Sequence, residues 1–240
     1  MTMASSLPVN SAPLRILVVA AHPDDEVLGM GGTIAKLAAN GAEIKLLIVT
    51  DGSSSQYRGN PDLPAIIEAK KEETARCAAI LGIREILHGG LPDMRLDITP
   101  HVQINQIIES AVESFRPSVV FTHFSGDINA DHQRVSHSTL VACRPTASQC
   151  VKRLYFYSVP SSTEWNAPAA TNAFLPNVFF DISGPCADLK YRAFACYGTE
   201  LRPYPHPRSV QYLQNADAAV GNRVGLPSAE AFMLVRSVNP

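Results

Sequence analysis

With 240 residues, 46% of them hydrophobic and 18% charged, the chain is long enough to bury one sizeable core and has the composition of an ordinary globular α/β protein. A formal net charge of −2 with no long run of one sign excludes the basic stripe that duplex nucleic acid or an anionic membrane selects. The early apolar run Ile16–Ala21 is too short to cross a bilayer, and five cysteines with no CxxC spacing argue against a disulfide framework or a thiolate zinc site.

Met1–Leu14 is polar and rich in Ser and Pro, without the basic and apolar regions of a signal peptide. It reads as a disordered lead-in to a cytoplasmic protein, and residues 15–240 read as a single domain. Arg15–Ala21 is a β-branched apolar run and predicts a strand; after a loop, Met30–Asn40 has helical spacing and closes on Gly41. Glu43–Thr50 predicts a second strand, Asp51–Pro64 a turn-rich connection, and Ala65–Leu81 a long helix ending at Gly82. A short strand follows at Glu85–His88, then a helix at Ile104–Ser114, a buried strand at Pro117–Thr122 and a helix at Asp131–Ala142. This alternation implies a Rossmann-like α/β fold, a mostly parallel sheet covered by helices on both faces.

Beyond Pro145 the pattern loosens. It gives a strand at Arg153–Val159, a Pro/Ala/Asn-rich loop at Ser161–Asn177 holding the only tryptophan, Trp165, helices near Ala187–Tyr197 and Ser209–Ala219, and an apolar segment at Ala231–Val235. The loop is long enough to be a lid or substrate wall, and equally reads as a surface excursion anchored by one buried Trp.

Ligands of open parallel sheets bind beyond the carboxyl ends of the strands, and those ends are polar here. The first strand delivers His22-Pro23-Asp24-Asp25-Glu26, the second Thr50-Asp51-Gly52-Ser53, and the fourth His123 followed by Asp127, Asn129, Asp131 and His132. Each piece has a bland reading: Pro23 followed by acids is how an ordinary helix begins, and Asp131 is a sound helix N-cap. Their coincidence on one rim is the informative feature. A catalytic zinc takes three nitrogen or oxygen ligands and leaves a position open for water, which the ion makes acidic. His22 and Asp25 could supply two ligands and His132 a third; Asp24 would then remain free to take the water's proton and return it to a leaving amine.

The segments AHPDDEVLGMGGTIAKLAANG, VTDGSSS and THFSGDINADH, with YGTELRPYPHPRS and GLPSAEAF towards the end of the chain, together resemble the LmbE-like or PIG-L family of zinc-dependent de-N-acetylases. The resemblance implies an LmbE-like fold and an enzyme that removes an N-acetyl or other N-acyl group from an amino sugar, a nucleotide sugar or a sugar conjugate. It implies His22, Asp25 and His132 as metal ligands, Asp24 as general base, and Asp131 as an acid that orients an imidazole. Zn2+ is the implied cofactor, although a His/His/Asp set accepts other divalent ions such as Fe2+. Many members carry a histidine where this chain has Asn129, which can donate a hydrogen bond but carries no charge. The electrophilic role is therefore open among Asn129, His123 and His206, with His206 placed first because PHPRS brings a histidine and an arginine together. Arg58 and Asp93 fall where the family touches the sugar, and Arg202 and Arg208 flank PYPHP and could clamp a phosphate or carboxylate.

The same metal site would also serve an amidase for a larger amide or a thiol-sugar conjugate. A non-catalytic Rossmann-like sugar or nucleotide binder is the more distant alternative: Gly29-Met30-Gly31-Gly32 is not a G-x-G-x-x-G element, and the acids beside it would oppose a pyrophosphate. Partners are thus expected to be small molecules, without nucleic acid or membrane insertion, and a homo-oligomer is compatible with the sequence.

Overall fold

The computed structural model describes residues 13–239, so the expected lead-in over 1–14 lies, but for its last two residues, outside the described part. Among the described residues seven strands form one sheet in the order β3-β2-β1-β4-β5-β7-β6. β1 (Arg15–Ala20), β2 (Glu43–Thr50), β3 (Glu85–Leu91), β4 (Val119–His123) and β5 (Arg153–Tyr157) pair in parallel. β7 (Ala229–Ser237) joins β5 in antiparallel fashion, and β6 (Val178–Asp181) pairs antiparallel with β7 at the edge. The helices are α1 (Asp25–Ala39), α2 (Leu63–Leu81), α3 (His101–Phe115), α4 (Ala130–Ala142), α5 (Pro185–Phe194) and α6 (Val210–Asn222).

Because β1 is covered on both faces beyond the exposed Arg15, its residues Ile16–Ala20 have to be apolar. Ile16, Val18 and Ala20 face a core built with Leu28 and Ile34 of α1, Cys77 and Leu81 of α2, Phe194 of α5 and Leu213 of α6. Leu17, Val19 and Ala21 face the opposite core, with Ile104, Ile108 and Phe115 of α3 and Val135 of α4. Full burial of such side chains contributes about 1.5–3 kcal/mol each. Among the described residues no helix is long and apolar enough to cross a membrane.

The fold is the expected α/β sheet, with differences at element ends. The first helix starts at Asp25 rather than Met30, and Met30 marks a kink (φ −156°, ψ 24°). Glu230 of β7 accepts from Gly32 N at 3.1 Å and Thr33 N at 2.7 Å, so a buried carboxylate caps the second half of the helix. Lys190 lies 2.8 Å from both Glu230 and Asp217, and the Tyr191 hydroxyl donates to Asp217 at 3.1 Å. Gly32 is required at this crossing, since a β carbon there would sit 2.8 Å from Ile182 Cδ1. The strand β6 has no counterpart in the sequence pattern; it lies just after the Pro/Ala/Asn-rich loop and owes its conformation to pairing with β7.

Candidate active site

The carboxyl ends of β1 and β4 and the loops after β2 and β3 surround a cleft of about 240 Å³ lined by His22, Asp24, Asp93, Asn129, Glu200 and Arg208 among others. Gly52, at φ 63°, makes the β2 loop fit: a β carbon there would lie 2.4 Å from the Pro23 ring, so only glycine lets the two loops close together.

Three side chains converge beneath the cleft. His22 Nδ1 is 3.2 Å from His132 Nε2 and 3.3 Å from Asp25 Oδ2, while His132 Nε2 is 3.3 Å from Asp25 Oδ1. The other nitrogen of each ring faces a carboxylate: His22 Nε2 is 3.2 Å from Asp131 Oδ2 and 3.3 Å from Asp93 Oδ1, and His132 Nδ1 is 3.3 Å from Asp127 Oδ2. With one proton on each ring, placed on the nitrogen that faces those backing acids, His22 Nδ1 and His132 Nε2 would be lone-pair donors beside Asp25. The Asp25 Oδ1 atom is buried and has no hydrogen-bond partner among the described residues. A divalent cation fits this donor set, two imidazole nitrogens and a carboxylate whose ligand atoms lie within 4.8 Å of one another. The overlapping set His22, Asp93 and Asp131 reaches His22 through its proton-bearing nitrogen, so it supports the same centre rather than forming a second one.

The electrostatics agree. Burial pulls the His132 pKa down, but Asp25 and Asp127 outweigh it and hold the ring up at about 9. At His22 burial likewise pulls the pKa down, but Asp131 and Asp25 overcome it and hold the ring well above its ordinary value. The cluster of acids therefore calls for positive charge at its centre. Asp24 stands apart: burial pushes its carboxyl up to about 8, against the pull of Arg208. Its Oδ2 is buried without a hydrogen bond among the described residues, and Arg208 Nη1 approaches it only to 3.5 Å.

The cleft does not gather every residue singled out in the sequence. Asp131 lies against His22 and also accepts from Met94 N at 2.8 Å and Leu96 N at 3.0 Å, which fixes the loop after β3. Asn129 caps α4 through its Oδ1, 2.9 Å from Asp131 N, and this turns its Nδ2 towards Met94 Sδ in the cleft. His206, placed first for the electrophilic role, is not brought to the cleft: its Nδ1 accepts from Arg208 N at 3.0 Å and its ring meets Trp165 edge-on. His123 is also unsuited to that role. It is fully buried, burial drops its pKa to about 4, its Nε2 accepts from Ala21 N at 2.8 Å, and its ring stacks on His132 at 4.0 Å.

Of the residues expected to meet substrate, Asp93 and Arg208 line the cleft. Arg58 is exposed outside it, and Arg202 is turned to the carbonyls of Thr199 and Leu201. Arg208 is not a free anion clamp either, because Glu200 Oε2 engages it at 2.6 Å and Ser161 Oγ at 2.9 Å. A larger cavity, about 680 Å³, lies elsewhere, under the Ser161–Asn177 loop with Tyr212 and Ala216 of α6, and shares no lining residue with the cleft. It is mainly apolar and holds none of the converging acids and imidazoles, so the smaller cleft is the candidate active site. Trp165 is 54% exposed rather than a buried anchor. Three residues without an assigned role in the sequence contact groups of the candidate site: Asp127 faces His132, Glu200 engages Arg208 and Glu26 accepts from Asp24 N. For Asp127 a signal existed, its place in GDINADH five residues before His132; for the other two the contacts are made across the fold.

Residues 17–143 match the family model described as PIG-L: GlcNAc-PI de-N-acetylase. The chain belongs to the PIG-L deacetylase family. A PIG-L relative from Nakamurella multipartita, 1D-myo-inositol 2-acetamido-2-deoxy-alpha-D-glucopyranoside deacetylase, is 31% identical over 95% of this chain and 91% of its own. The conserved protein TT1542 from Thermus thermophilus superposes with a TM-score of 0.75 at 28% identity, covering 95% of this chain and 97% of that one. GalB from Pseudomonas putida KT2440, a 4-carboxy-2-hydroxymuconate hydratase, shares the fold with a TM-score of 0.74 at 21% identity, over 95% and 98% of the two chains. The PIG-L fold is thus compatible with more than one chemistry, and function has to be argued from the site.

Proposed function

We propose that residues 15–240 act as one metal-dependent deacetylase unit that hydrolyses the N-acetyl group of an amino sugar or sugar conjugate, with His22, Asp25 and His132 holding a divalent ion, zinc being the ion that best suits them. The observation that carries this reading is the convergence of His22 Nδ1, Asp25 and His132 Nε2 within 3.3 Å beside an Asp24 carboxylate whose buried Oδ2 has no hydrogen-bond partner. When bound, such an ion supplies Lewis acidity, polarising a carbonyl and lowering the pKa of water. The protein does the rest. Asp24 takes a proton from the water that adds to the amide carbon, then returns it to the sugar nitrogen as the C–N bond breaks, releasing acetate and a free amine. Its raised pKa suits both halves of that exchange near neutral pH.

Charge develops on the carbonyl oxygen during this addition, and two donors of the cleft can face it: the Asn129 amide, whose orientation its capping bond sets, and the Arg208 guanidinium, the cation held there by Glu200. Asp93, which lines the cleft, would accept from a sugar hydroxyl. The nature of the PIG-L relative named above, a deacetylase of an inositol-linked amino sugar, favours a sugar conjugate as substrate.

The test is metal analysis of the purified protein together with acetate release from a panel of N-acetylated free sugars, nucleotide sugars and lipid- or thiol-linked glucosaminides. Stoichiometric metal and metal-dependent acetate release from at least one glucosaminide are expected. A protein that binds no divalent ion, or one whose acetate release survives full chelation, would overturn the reading.

A further inference from the structure

We propose that Glu26 is a positioning residue for Asp24: its buried carboxylate holds the backbone of residue 24 in the left-handed conformation that turns the Asp24 side chain into the cleft. The inference rests on the reading of Asp24 as the proton acceptor and adds the device that aims it.

Asp24 sits at φ 111°, ψ −25°. A β carbon is crowded in that region, and residues other than glycine stay there only where the surrounding structure over-determines them. Two holds are visible. The Asp24 carbonyl accepts from Leu28 N at 3.0 Å, the first bond of α1. The Asp24 N–H, which the helix cannot satisfy, donates to Glu26 Oε2 at 3.1 Å.

Glu26 is itself fixed from two other elements. It is fully buried, and its Oε1 accepts the Tyr197 hydroxyl at 2.6 Å and faces the Cys77 thiol at 3.4 Å. Tyr197 follows α5 and is also fully buried, while Cys77 lies on α2. One carboxylate thus ties α2, the segment after α5 and the loop carrying the base. Taking a carboxylate out of water is costly, and a side chain needed for packing alone would be apolar. The penalty is offset by donors, and one of those donors is the backbone of Asp24. Glu26 does not line the cleft, so it reaches the reaction through that backbone and not by touching substrate.

The test compares Glu26→Ala, Glu26→Gln and Tyr197→Phe in the full-length protein. Measured for each are metal content, melting temperature, kcat, KM and the Asp24 amide resonance in the metal-free protein. In Glu26→Ala the Asp24 amide proton is expected to move upfield and kcat to fall by about 10- to 100-fold, with KM and metal content nearly unchanged. Glu26→Gln should restore most of both, because its amide oxygen can accept from Asp24 while its NH2 donates to the Tyr197 hydroxyl. In an Asp24→Asn background, Glu26→Ala should add no further loss of kcat. A lowered melting temperature with an unmoved Asp24 amide, or a loss that adds fully to that of Asp24→Asn, would show a merely structural role and overturn the proposal. Should Glu26→Ala fail to fold, Tyr197→Phe carries the test, since it removes a donor from Glu26 and leaves Asp24 intact; a smaller loss of kcat with the amide shifted upfield is expected, and an unmoved amide overturns the proposal. Full turnover in Asp24→Asn would instead sink the base reading itself, whereas an inactive Asp24→Asn with an unmoved amide in Glu26→Ala would sink the role of Glu26 alone.

Discussion

Asp127 Oδ2 lies 3.3 Å from His132 Nδ1, and the same carboxylate also accepts the hydroxyls of Thr163, at 2.6 Å, and of Ser162. One acid therefore aims an imidazole of the candidate metal centre and fastens the start of the long loop after β5. Its pKa is held at about 2: burial pushes it up, and hydrogen bonds from His132, Ser162 and Thr163 with the His132 charge outweigh that. Replacing Asp127 by Ala should weaken divalent-metal affinity about 10- to 100-fold, as for other residues that orient a ligand. Competition with a chromophoric chelator measures this, and unchanged affinity would remove Asp127 from that role.

Asp24→Asn should retain the fold and the metal and lose kcat by about 10²–10⁴, because an amide cannot take up the proton of water. Circular dichroism and metal analysis establish the first two points and steady-state kinetics the third. A loss of less than about tenfold with metal bound would assign the base to another group.

The oxyanion donors give a ranking. Asn129→Ala and Arg208→Ala should each lower kcat substantially, by about 10²–10³ for the loss of one donor, with metal content unchanged. His206→Ala should stay near wild type, since that ring is occupied by Arg208 N and Trp165 and does not line the cleft. The reverse order, with His206 critical and Asn129 silent, would mean that the PHPRS segment moves into the site on substrate binding.

A pH effect on stability should arise far from the chemistry. Two buried acids, Asp217 and Glu230, share Lys190, and Glu230 has two backbone donors besides. Burial pushes Asp217 up to about 6, opposed by Lys190. The native protein then binds this proton more tightly than the unfolded chain does, so the associated stability is present below about pH 4 and is lost as pH rises through about 6, on the order of 3 kcal/mol in all. Urea midpoints of wild type and Asp217→Asn across pH 4–7 should diverge in that sense. Parallel profiles would show that Asp217 does not titrate there.

The elements themselves were legible because their signals are local. β1, β2 and β4 are built on the apolar runs Ile16–Ala20, Leu46–Val49 and Val119–Phe121, the helix α2 ends at a left-handed Gly82, and the acids clustered after β1 and β4 stand where an open parallel sheet presents its ligands. The candidate ligands His22, Asp25 and His132 could be named from that pattern and a family resemblance. β6 could not, since its conformation depends on the partner strand β7, and neither could the start of α1, because a Pro followed by three acids reads as either a loop or a helix start.

The sequence by itself determined the strand–helix alternation, the acidic and imidazole-bearing strand ends and the absence of a charge pattern for nucleic acid, all properties of residues close together along the chain. Only the tertiary structure decided which partner each of these groups meets. His22 and His132 are 110 positions apart and share a centre because β1 and β4 are neighbours in the sheet; Glu26 and Tyr197 are 171 apart and meet because α5 packs behind α1. It likewise gave one ring nitrogen each of His206 and His123 to a backbone N–H and left both rings out of the cleft lining. The physical reason is that hydrogen bonds and ion pairs act over a few ångströms of space, and sequence spacing reports that space only within a single turn or strand.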